Sequence, residues 1–137
     1  MEYMFDKCKS LKKLDLSNFS TRGINNMENM FNGCSSLKEL NISSFNNNEV
    51  TNMKNMFSDC SSLKELNLSN FNTENVKNMS RMFYGCSSLK RLNISNFVSN
   101  DAEMYKMFEG CSKELEEKAK AQIQINEDIN EDVCLIF

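Results

Sequence analysis

Five cysteines keep time along this chain. Cys8, Cys34, Cys60, Cys86 and Cys111 are separated by three steps of 26 residues and one of 25. A Met-Phe pair keeps the same beat, as Met4-Phe5, Met30-Phe31, Met56-Phe57, Met82-Phe83 and Met107-Phe108. After each of the first four cysteines comes a Leu-x-x-Leu-x-(Leu/Ile) run, "LKKLDL", "LKELNI", "LKELNL" and "LKRLNI", with Phe19, Phe45, Phe71 and Phe97 following. Such a register constrains the architecture before any local reading does. One unit of this size cannot bury its own apolar stripe, whereas stacked copies can, with strands about 4.8 Å apart in a parallel ladder.

Each unit reads as one strand and one helix. In "SSLKELNLS", Leu66 and Leu68 alternate with Glu65, Asn67 and Ser69, the period of a half-buried strand. Val76, Met79, Phe83 and Cys86 follow at helical spacing and predict a helix with one apolar face. The expected fold is therefore α/β, a short solenoid with one short parallel strand and one helix per 26-residue repeat. The Leu-x-x-Leu-x-Leu core resembles the leucine-rich repeat, and the fuller pattern "NMFSDCSSLKELNLSNFNTENVKNMSRMF" resembles its BspA-like type, found in bacterial and protist surface proteins. Phe71 and its equivalents stand where the common leucine-rich repeat carries asparagine, and read as a stacked apolar spine.

The expected organisation is three segments. Residues 1–111 hold the repeats, with a partial first unit that opens on "MEYMFDKC", read as the last turns of a helix. Residues 112–126 form a capping helix and a closing strand at Ile123 and Ile125, and residues 127–137 an acidic flexible tail. The uncovered strand edge near Leu14 and Leu16 invites pairing, so a homo-oligomer through the N-terminal end is one expectation.

No catalytic site is expected. The chain of 137 residues contains no histidine, so the usual general base near neutral pH is missing. There is no glycine-rich phosphate loop and no nucleophile–base pair, and no cofactor is expected. Formal charge is −3, so no global basic field draws in nucleic acid. Lys12, Lys38, Lys64 and Lys90 form a basic row, but adjacent glutamates offset it and it reads as a solvated face. No close C-x-x-C pair offers a zinc site, and no metal is expected. The cysteines read as a column of buried, reduced thiols in identical core slots. Disulfides are the alternative, although side chains in a ladder point the same way and five cannot pair completely.

Two features carry the functional reading. The strand face opposite the core aligns Lys13, Glu39, Glu65 and Arg91 in one column, with Asp15, Asn41, Asn67 and Asn93 beside it and Ser17, Ser43, Ser69 and Ser95 in a third. The resemblance to leucine-rich repeats implies that this face binds protein partners, through Lys13, Glu39, Asn41, Glu65, Asn67, Arg91 and Asn93. The competing reading is scaffold, with asparagine and serine rows bonding up and down the ladder. The second feature is the last four residues, Cys134, Leu135, Ile136 and Phe137, which fit the C-a-a-X prenylation signal in every position, a terminal Phe favouring geranylgeranyl over farnesyl.

Together these give a non-enzymatic interaction scaffold, lipidated on Cys134 by a prenyltransferase. It is held at the cytoplasmic face of the plasma membrane or an endomembrane. The N-terminus shows no apolar signal region, which agrees with synthesis in the cytosol. Protein prenylation is eukaryotic, so the reading is of a protist member of the family. Residues 112–137 carry three lysines against seven acids, so no polybasic second signal supports the anchor and contact is expected to be reversible. The alternative is a cell-surface adhesin of BspA type that binds host or matrix proteins, which protease shaving of intact cells would distinguish.

Overall fold

The structure is a computed structural model that describes residues 1–125. Four short strands recur at the repeat interval: β1 (Lys13–Asp15), β2 (Glu39–Asn41), β3 (Glu65–Asn67) and β4 (Arg91–Asn93). Two further strands, β5 (Val98–Ser99) and β6 (Gln124–Ile125), flank the single helix among the described residues, α1 (Lys113–Gln122). Every pairing is parallel, β1 with β2, β3 with β4 and β5 with β6, and the register keeps equivalent residues side by side, Leu14 with Leu40 and Leu66 with Leu92. The chain is thus a small α/β repeat fold. The leucine at the centre of each strand points inward while its neighbours face solvent, the alternation that a pleated strand imposes.

The helix expected in each unit does not form. The Met-Phe segments are instead runs of overlapping turns in which alternate backbone groups have different partners. The N–H groups of Met30, Asn32 and Cys34 donate three residues back, to Met27, Asn29 and Phe31, at 3.2–3.3 Å. Those of Asn29, Phe31 and Gly33 donate across to the next unit, to Lys54, Met56 and Ser58, at 2.8–3.0 Å. A helix would keep all of these bonds inside its own unit and leave nothing for the neighbour. The turns are enforced by left-handed residues that a helix excludes, Asn29 (φ 55), Asn55 (φ 55) and Arg81 (φ 55), with Gly33 (φ 71), Asp59 (φ 57) and Gly85 (φ 69) four positions on. A Cβ at Gly85 would also meet the Asp59 carboxylate, which would have to turn aside. The apolar spacing of 3 and 4 misled because such turns turn the same side chains inward. Met1–Cys8 likewise forms turns, with Tyr3, Phe5 and Lys7 donating to Glu28, Met30 and Asn32.

Aromatic stacking joins the units inside. Phe5, Phe31, Phe57, Phe83 and Phe108 form one column, with ring centroids 5.5–5.9 Å apart and planes within 7° of parallel. This is the continuous spine. In the column read as a spine from the sequence, Phe45 and Phe71 stack at 6.3 Å. Leucines, methionines and valines fill the space between, so that Met27, Met53, Met79, Leu63 and Val76 are fully buried.

Polar side chains extend the pairing where strands stop. The buried hydroxyl of Thr21 donates to the Asn46 carbonyl (2.7 Å) and accepts from the Asn46 N–H (2.8 Å), and Thr73 grips Val98 in the same way. Asn26, Asn52 and Asn78 each close a turn, their side-chain oxygens accepting from Glu28, Lys54 and Ser80. Their amide nitrogens reach Glu2, Glu28 and Glu103. The abundance of asparagine follows from this: its short amide serves as a local backbone surrogate.

At the C-terminal side α1 lies over β4. Ser112 caps it by accepting from the Leu115 N–H at 3.2 Å, so the helix starts afresh here and does not continue an earlier one. Leu115 and Ala119 are buried, and Lys118–Glu114 and Lys120–Glu116 pair along the helix at i,i+4 spacing. Gln122 completes the cap. Its amide oxygen accepts from the Ile94 N–H and its nitrogen donates to the Leu92 carbonyl, both at 2.9 Å, so one side chain stands in for the peptide group of a further strand.

Candidate functional site

The strands display all seven residues of the predicted face. Lys13, Glu39, Asn41, Glu65, Asn67, Arg91 and Asn93 are exposed and lie on the side away from the core, as the alternation about Leu14, Leu40, Leu66 and Leu92 requires. The structure brings Lys13 to Glu39 at 2.8 Å and Arg91 to Glu65, each pair across one strand pairing. Both pairs stand in water, where such contacts contribute little stability. Glu39 and Glu65 are not brought together, because β2 and β3 do not pair. Like charges directly opposite in a ladder disfavour pairing, and within the column Lys13, Glu39, Glu65, Arg91 this is the junction where they would meet.

The asparagine row does not bond up and down the ladder, as the scaffold reading would have it. Asn41, Asn67 and Asn93 accept from the N–H two residues on, at Ser43, Ser69 and Ser95, with distances of 3.0–3.1 Å. Asp15 does the same with Ser17 at 2.9 Å, and hydrogen bonds from the Ser17 side chain and backbone hold its carboxyl below the usual value. These bonds close a turn within one unit and do not run between units. The amide N–H groups of Asn41, Asn67 and Asn93 have no acceptor among the described residues, so the face offers a row of hydrogen-bond donors beside its charges. Sequence pattern located this row but not its bonding. The signal was there in the recurrent Asn-x-Ser, the spacing of an Asx turn.

The cysteine ladder faces inward. Cys34, Cys60 and Cys86 are buried, Cys8 and Cys111 partly so, and all five are free thiols. Cys34, Cys60, Cys86 and Cys111 each donate the S–H to a phenylalanine carbonyl one unit back, Phe5, Phe31, Phe57 and Phe83, at 3.1–3.2 Å. Burial pushes the thiols of Cys34 and Cys111 up to about 11 and raises those of Cys60 and Cys86 well above the ordinary value. A thiol held protonated in this way is a poor nucleophile and a poor metal ligand. Among the described residues no group of three or more acidic or sulfur ligands converges on a point that could hold a metal, and no helix is long and apolar enough to cross a membrane. The predicted lipidation site, Cys134 with Leu135, Ile136 and Phe137, lies outside the described residues.

A family model described as "Mycoplasma protein of unknown function, DUF285" matches residues 1–121. The chain belongs to this family. The match spans every repeat unit and most of α1, and it is consistent with the BspA-like resemblance of the repeats. No curated protein and no solved structure matches the chain. The DUF285 description assigns no activity, and names Mycoplasma, so the match carries neither the prenylation nor the protist origin expected from the last four residues.

Proposed function

We propose that this chain is a non-enzymatic protein-interaction module, a short leucine-rich-repeat solenoid that binds a protein partner through the exposed strand face. The supporting observation is how the face spends its polar groups. Asparagine oxygens are consumed in turns of their own unit, and the charges in the pairs Lys13–Glu39 and Arg91–Glu65, while the amide N–H groups of Asn41, Asn67 and Asn93 are left for a partner. A surface serving only as scaffold would be expected to use those donors on its neighbours, as Asn26, Asn52 and Asn78 do on the other side.

The test is the triple variant Asn41→Arg, Asn67→Arg, Asn93→Arg, whose side chains stand in solvent, with circular dichroism confirming the fold because the change also removes three turn-closing acceptors. Crosslinking in extracts of the source cells followed by mass spectrometry is expected to lose its dominant protein partner in the variant. An unchanged partner profile would overturn the reading.

A lipid anchor completes the proposal. Where Phe137 is the carboxyl terminus of the mature chain, Cys134 is a prenyltransferase substrate and the module is tethered reversibly to the cytoplasmic side of a membrane. Intact mass after incubation with geranylgeranyl diphosphate and its transferase is expected to rise by one isoprenoid, and Cys134→Ser to show no gain. No gain on the native chain removes the anchor. The repeat module would then stand alone, with surface display as an adhesin the alternative setting for the same face.

A further inference from the structure

The stack is interrupted on its strand side. Between units the Met-Phe turns bond without a break, Met53 to Asn78, Asn55 to Ser80 and Phe57 to Met82 at 2.8–3.0 Å, yet β2 and β3 are not hydrogen-bonded to each other. A groove lies between them. Its larger part, about 660 Å³, is lined by Lys38, Glu39, Leu40, Lys64 and Glu65, and a second part of about 250 Å³ continues past Asn41 and Asn67. The groove is bounded at one end by the Ser62 hydroxyl on the Ser35 carbonyl (2.6 Å). At the other end, the Asn70 amide bonds the carbonyls of Ile42 (3.2 Å) and Phe45 (3.0 Å). Leu40 at the groove wall is only partly buried, whereas Leu66 is 4% exposed.

Both walls are strand edges of matching polarity. In β2 the Glu39 N–H and the Asn41 carbonyl turn toward β1, so the period of two leaves the N–H and carbonyl of Leu40 facing the groove. In β3 the Leu68 N–H is spent on β4, as is the carbonyl of Lys64, so those of Glu65 and Asn67 face the groove from the other side. An extended segment lying parallel between the two edges in the repeat's own register would satisfy both. Lys38 and Lys64 line the groove one residue earlier, and in the column that Glu39 and Glu65 share the charges select the chemistry of that one position. Across the junction the column reads Lys13, Glu39, groove, Glu65, Arg91, with each glutamate paired away from the groove. A basic residue in the groove at this register makes the column alternate in sign throughout, and an acidic one stacks three negative charges.

We propose that the groove between β2 and β3 accepts a short extended segment of a protein partner, added as a parallel strand, with lysine or arginine between Glu39 and Glu65 and an aliphatic residue next to it against Leu40 and Leu66. This rests on the protein-interaction reading above and names its site and partner chemistry. The occupant is a basic–aliphatic peptide strand recognised by main-chain pairing, with charge setting its specificity.

The probe is a fluorescein-labelled hexapeptide, Leu-Ser-Arg-Leu-Asn-Ile, whose serine avoids a third positive charge between Lys38 and Lys64, and its counterpart with Glu in place of Arg, titrated with the full chain by fluorescence anisotropy. The arginine peptide is expected to bind saturably, at least roughly tenfold tighter than the glutamate peptide. In Glu39→Gln, Glu65→Gln that preference is expected to shrink to about twofold, with far-UV circular dichroism confirming that the variant is folded. Equal binding of the two peptides to the native chain overturns the proposal, and so does absence of saturable binding by the arginine peptide. The peptide comparison on the native chain decides the matter even where the double variant does not fold. If neither peptide binds while the asparagine triple variant still loses its partner, the groove is refuted and the interaction face stands. If the arginine peptide is selected while the partner profile is unchanged in that variant, the groove stands and the broader face is refuted.

Discussion

Replacing Phe57 with alanine is expected to remove about 3–5 kcal/mol of stability, the range for deleting a fully buried aromatic side chain. Phe57 is 0% exposed and stacks on both sides, 5.5 Å from Phe31 and 5.9 Å from Phe83. Truncation therefore leaves a cavity and breaks two ring contacts at once, in the middle of the column that joins the units. A domain of this size typically has about 5–15 kcal/mol in total, so the variant would stand near the unfolding threshold. The cost should also be cooperative, because a repeat stack derives much of its stability from the interfaces between neighbours. Urea denaturation followed by circular dichroism measures it, beside Phe57→Leu, which keeps most of the volume and should lose clearly less. A loss below about 1 kcal/mol for Phe57→Ala would mean that the backbone bonds between turns, and not the ring column, hold the units together.

Above pH 9 the fold is expected to lose stability steeply, and the cysteine ladder is the cause. Burial, followed by the charge that neighbouring thiols would carry, raises the folded values of Cys60 and Cys86 far above the ordinary value near 9, and Cys34 and Cys111 reach about 11. Below pH 9 the thiols are protonated in both states and their contribution is fully present. As pH rises past 9, the unfolded chain releases protons that the folded chain retains, so the unfolded state gains. For each thiol as deeply buried as Cys60 or Cys86 the loss approaches about 1.4 kcal/mol per pH unit. For Cys34 and Cys111 it ends near pH 11, where the folded thiols ionise as well. Urea midpoints between pH 7.5 and 10.5, with reductant present, should fall along this course, and Cys60→Ala with Cys86→Ala should flatten it. A midpoint flat to pH 10.5 would remove the buried-thiol account.

The two expectations trace to the same slots in the repeat, and these slots show how far the sequence could be read. Cysteine after Met-Phe, at one fixed interval, implied a column of reduced thiols, and the free buried Cys34, Cys60 and Cys86 form one. Leucine alternating with polar residues implied short strands and an outward face, and β1 to β4 display Lys13, Glu39, Glu65 and Arg91. The helix assigned to Val76, Met79, Phe83 and Cys86 was the misreading. Apolar residues three and four apart satisfy a helix and a run of turns alike, and the deciding groups are the backbone N–H donors of Met79, Arg81, Phe83 and Gly85, whose partners lie 24 residues away. Asn55 and Asp59 in left-handed conformation carried the hint, since both residue types tolerate positive φ, but Arg81 at the equivalent place gave none.

What the sequence determined by itself was the period, the identity of the buried columns and the parallel stacking of equivalent residues. These follow from repetition, because identical units bury identical stripes only by lying in register. The tertiary structure alone decided how the turn segments are bonded, where the ladder opens between β2 and β3, and that Gln122 closes it by imitating a peptide group. The reason is the same in each case. Apolar burial is local enough to leave a periodic trace in one strand of text, whereas a hydrogen bond or a charge repulsion between units exists only once the units are side by side.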